Sequence, residues 1–138
     1  MSDTTAVLTA DDKLTLQTAA HGVVGLMAAS DPGAISSTKA GLAAGKALSS
    51  ATGLTGRVLA EKPKGMKLDG KSTADLADRV FDAIRRSLAL LAAKAPEETD
   101  NFRATIALAM RAAQHARPGA NPAQAAMADK ITAVLDGC

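Results

Sequence analysis

The chemistry open to this 138-residue chain starts from two histidines, His21 and His115, and one cysteine, Cys138. Two imidazoles carried on different helices can hold a metal or a haem. Di-iron oxidase chemistry in a helical bundle needs Glu-x-x-His pairs that project ligands inward. Thr18 stands three residues before His21 and Ala112 three before His115, so that motif is absent. The ordinary reading is that His115, beside Arg111 and Arg117, offsets the negative end of its helix, and that His21 is hydrogen-bonded inside. A lone terminal cysteine gives neither a disulfide framework nor a thiolate zinc site.

Other groups meet the same test. Residues 40–47 carry the outline of a phosphate-binding loop, but Ala40 replaces its first glycine and Ala47 its magnesium-binding hydroxyl. No strand precedes it. Ser36, Ser37, Ser49, Ser50, Thr52 and Thr55 lack a base at a telling spacing, so they read as small packing groups rather than nucleophiles. Glu97, Glu98 and Asp100 fall in the first turn of a helix, where carboxylates serve as solvated caps. A calcium site would need loop spacing that is not there.

What survives is a charge asymmetry. Arg57, Lys62, Lys64, Lys67 and Lys71 stand against Glu61 and Asp69, with Met66 and Leu68 among them. Such a segment can steer an acidic protein or an anionic surface, and apolar residues beside lysines suit docking. Nucleic acid is a poor partner: the formal charge is only +2, and Phe81 and Phe102 are the only aromatic residues.

The elements that must position these groups are helical. Thirty-two residues are alanine, the best helix former, and no alternating strand pattern occurs. A first helix should begin near Asp11 or Asp12 and stop at Asp31-Pro32-Gly33. Leu16, Ala20, Val23 and Met27 make a bulky stripe on it, and Thr18, Gly22, Gly25 and Ala29 a small one. No charge lies between Lys13 and Asp31, the pattern of a buried central helix, and the run is slightly short for a bilayer.

A second helical stretch, 34–62, carries Gly41, Gly45, Gly53 and Gly56 and should break near Thr52-Gly53. Its Gly41/Gly45 face is expected against the Gly22/Gly25 face. A third helix opens at an N-cap Ser72 and buries Leu76, Val80, Ile84, Leu88 and Leu91, with Asp75–Arg79 and Asp82–Arg86 pairs outside. A fourth starts at Pro96 and buries Phe102, Ile106, Ala109, Met110 and Ala113. A fifth starts at Asn121-Pro122-Ala123-Gln124 and turns Met127, Ile131, Val134 and Leu135 inward.

The junctions 28–36 and 114–122 both read helix, Pro-Gly-Ala, then a new helix. With the Ile35-Ser36 step and the Asn121-Pro122-Ala123-Gln124 start, this outline resembles the TerB-like tellurite-resistance helical domains, whose helices are joined by Asp-Gly turns. The resemblance implies an all-α fold and a bacterial stress context. Pro32 interrupts the Asp-Gly turn, and Lys39 and Gln124 stand at its acidic positions, so no site residue is carried over.

The expected fold is all-α: one compact five-helix bundle over residues 1–138, with a flexible arm at 1–10 and a basic loop at 62–71. The expected function is a non-enzymatic, cytoplasmic interaction module without a cofactor, binding an acidic protein or anionic surface through Arg57, Lys62, Lys64, Met66, Lys67 and Lys71. The opening residues carry no secretory pattern. The alternative is a small-ligand, metal or haem carrier using His21 and His115. Alanine and glycine faces could equally meet within one chain or between two as a homodimer.

Overall fold

A computed structural model describes residues 8–30, 34–60, 72–116 and 122–137, with the backbone alone at 34–37. The described residues are helical apart from short turns and contain no strand: α1 (Ala10–Ala29), α2 (Ala34–Ser49), α3 (Gly53–Ala60), α4 (Thr73–Lys94), a 3-10 turn (Pro96–Glu98), α5 (Thr99–His115) and α6 (Pro122–Asp136). There are six α-helices where five were expected. The extra one comes from the glycine-rich stretch, which the chain divides into α2 and α3. The turns at 31–33 and 117–121 lie outside the described residues.

α1 starts at Ala10, just ahead of the two aspartates. Thr9 is the N-cap: its Oγ1 accepts from the Asp12 amide at 3.1 Å, and the Asp12 carboxylate accepts from the Thr9 amide at 3.0 Å. This reciprocal box satisfies two of the donors that every helix start leaves open. Asp12 also pairs with Lys94 at the far end of α4, tying the two helices together.

α1 is the hub. It packs against α2, α3, α4, α5 and α6, most extensively against α4. Leu16, Ala19, Ala20, Val23, Leu26 and Met27 are buried in one hydrophobic cluster. The small stripe also faces inward at Gly22, where a Cβ would drive into the branched side chain of Val80 on α4. Gly25 likewise faces α4, at Leu76. The expected pairing of glycine faces is therefore corrected: Gly22 and Gly25 meet α4, Gly41 meets Ala28 of α1, and Gly45 meets nothing within 4 Å. A bare glycine gives most where a β-branched residue stands opposite, because valine cannot swing aside.

α2 ends in tight bonds, with the Ser50 amide donating to Ala47 O and the Ala51 amide to Leu48 O, both at 3.1 Å. The chain then reverses through Gly53 at φ +70°, a left-handed conformation open to glycine. Gly56 is needed as well, since a Cβ there would lie 2.7 Å from the Ala51 carbonyl carbon. Both glycines belong to one turn.

The remaining helices follow their patterns. Ser72 caps α4, its Oγ accepting from the Asp75 amide at 3.2 Å. Val80, Ile84, Leu88 and Leu91 are buried and Leu76 half-buried. Asp82 pairs with Arg86 at 2.9 Å, whereas Asp75–Arg79 is not among the ion pairs of the described residues. Pro96 opens a 3-10 turn rather than α5 itself, and α5 begins at Thr99. Phe102, Ile106, Ala109, Met110 and Ala113 are all buried.

Candidate interaction surface

An eight-residue helix is too short to persist alone in water. α3 is held by side chains that reach it from α1, from α5 and from the 3-10 turn before α5. At its start, Glu98 Oε1 accepts from the Thr55 amide at 2.8 Å and from Thr55 Oγ1 at 3.1 Å. Asn101 Nδ2 donates to the Thr52 carbonyl at 2.8 Å. At its end, the buried Gln17 of α1 donates through Nε2 to the Val58 carbonyl at 2.9 Å. A carboxylate at the helix start and an amide donor at its end both complement the helix dipole. Glu98 is thus half-buried and caps a foreign helix, where the sequence suggested a solvated cap of its own.

The same device recurs. Gln124 of α6 donates to the Met27 carbonyl near the end of α1 at 2.9 Å, and Arg103 of α5 donates to the Leu135 carbonyl near the end of α6 at 3.0 Å. Gln124, read in the sequence as part of a helix-start signal, is buried in the first turn of α6 and serves α1. Alanine carries no polar atom, so the few long polar side chains finish the helix ends for their neighbours. We expect Glu98→Ala to cost about 1–2 kcal/mol, in line with loss of a cap and its charge-assisted bonds. Hydrogen exchange should then speed up first at amides 53–60, before any change in α1.

Because these ties fix α3 against α1 and α5, they also fix the flank that α2 and α3 present outward. Residues 34–60 contain Lys39, Lys46 and Arg57 and no Asp or Glu. Lys39, Leu42, Lys46 and Ser49 follow one another at intervals of three and four, so they share one face, and all four are exposed. Leu42 is 71% exposed, far more than any other large apolar side chain among the described residues. The face is therefore one apolar knob between two lysines. The sequence does not mark this face, because the alanines and glycines spread around α2 leave its outward side undefined.

Of the residues singled out in the sequence, Arg57 is exposed on α3. Lys62, Lys64, Met66, Lys67 and Lys71 lie outside the described residues. Beside Arg57, a depression of about 270 Å³ is lined by Gly53, Leu54, Arg57, Lys94, Ala95, Glu97 and Glu98. Its charges are largely occupied: Glu98 caps α3, and Lys94 pairs with Asp12.

The histidines differ in setting. His115 is exposed in the last turn of α5. His21 is half-buried, and its Nε2 is buried with no hydrogen-bond partner among the described residues, which corrects the expectation of a hydrogen-bonded core histidine. Nearby Thr18 spends its hydroxyl on the Leu14 carbonyl at 2.7 Å, and Gln17 spends its amide on Val58. No group of three or more His, Cys, Asp or Glu that could hold a metal occurs among the described residues. No helix there is long and apolar enough to cross a membrane.

Two groups give a pH signature. Burial lowers His21 below its ordinary 6.5. Burial alone would raise Asp12, but the bonds from Lys94 and the Thr9 amide, together with the Lys94 charge, hold it below its ordinary 3.8. In both cases the unfolded chain binds the proton more readily, so stability falls as pH falls. The denaturation midpoint should be level above the unfolded histidine value of 6.5 and decline below it. A second decline should begin below 3.8. Urea titrations across pH check this, and His21→Leu should remove the first decline only.

No family model, no curated protein and no solved structure matches the chain.

Proposed function

We propose that this chain is a non-enzymatic, cytoplasmic interaction module. It docks an acidic protein surface on the α2–α3 flank and on the lysine-rich segment 62–71 that follows in the sequence. The observation that carries the reading is the acid-free run 34–60, with Leu42 71% exposed between Lys39 and Lys46. An isolated apolar knob framed by cations suits a protein surface with a small apolar pocket and an acidic rim. A helix lying on a membrane would need a continuous apolar face, which α2 spends on its own core through Ala40, Ala44 and Leu48. The TerB-like resemblance belongs to the same proposal and would set the module in a bacterial stress response.

Affinity capture on the intact protein tests the reading, followed by titration of the purified captured protein. Reversing Lys39 and Lys46, or Lys62, Lys64 and Lys67, to glutamate should leave the helical spectrum intact and weaken binding at least about tenfold. Salt should weaken it too, as expected for paired surface charges. Unchanged affinity in both variants contradicts the proposal, as does sedimentation with phosphatidylserine vesicles in place of a protein partner.

A second reading, a small-ligand carrier, draws on the unpartnered Nε2 of His21. It requires a visible or metal signal in the purified protein that His21→Ala abolishes.

A further inference from the structure

We draw no further inference here: the strongest candidate, the exposed Lys39–Leu42–Lys46 face of α2, belongs to the surface already described, and nothing in the structure shows what covers it.

Discussion

Leucine in place of Gly22 should lower the unfolding midpoint by about 10 °C, or about 3 kcal/mol for a domain of this size. A Cβ at Gly22 already meets Val80 Cγ2, with Cγ1 at 3.3 Å and Val80 Cβ at 3.4 Å behind it. Val80 is fully buried on α4, and a β-branched side chain has no second rotamer to retreat to. Alanine at this site gains about 1 kcal/mol in helix propensity and loses about 1–3 kcal/mol to overpacking. It should come out mildly destabilising. Leucine adds three carbons in the same direction and must push α1 and α4 apart, in the most extensive contact that α1 makes. Gly45→Ala is the internal control. Nothing lies within 4 Å of its Cβ, so the propensity gain stands unopposed and the variant should be more stable by up to about 1 kcal/mol. Thermal and urea unfolding of the three proteins check the order.

Phe102→Ala should cost about 3–5 kcal/mol, the usual range for removing a fully buried aromatic side chain. Phe102 is completely buried on α5 and is the largest residue in the core. Phe102→Leu should recover most of the loss, and urea unfolding at neutral pH measures both.

The helical class and most of the core were legible because they rest on periodicity. The α5 face from Phe102 to Ala113 and the α4 face from Val80 to Leu91 are buried as their spacing requires. The break at Thr52-Gly53 was legible too, since glycine density marks where a helix cannot run on. The partner of each glycine was not legible. Two glycine faces look complementary on paper, yet the closest approach falls where a glycine meets Val80, a residue 58 positions away. The caps that cross between helices were equally hidden. Glu98 and Gln124 both sit at helix starts, where local rules assign them to their own helix. Only the fold brings them to Thr55 and Met27. As for the proposed docking surface, the lysines of 62–71 stood out in composition, while the Lys39–Leu42–Lys46 face required knowing which side of α2 faces out.

α1 is the buried hub on which the other helices are assembled. Native-state hydrogen exchange of the amides of residues 16–27 measures how far the fold depends on it. These amides should exchange only through global unfolding, with protection equal to the full stability and the same denaturant dependence, while amides 53–60 of α3 open earlier. Exchange of residues 16–27 through a partial opening that leaves α4 and α5 protected would show that the bundle does not rest on α1.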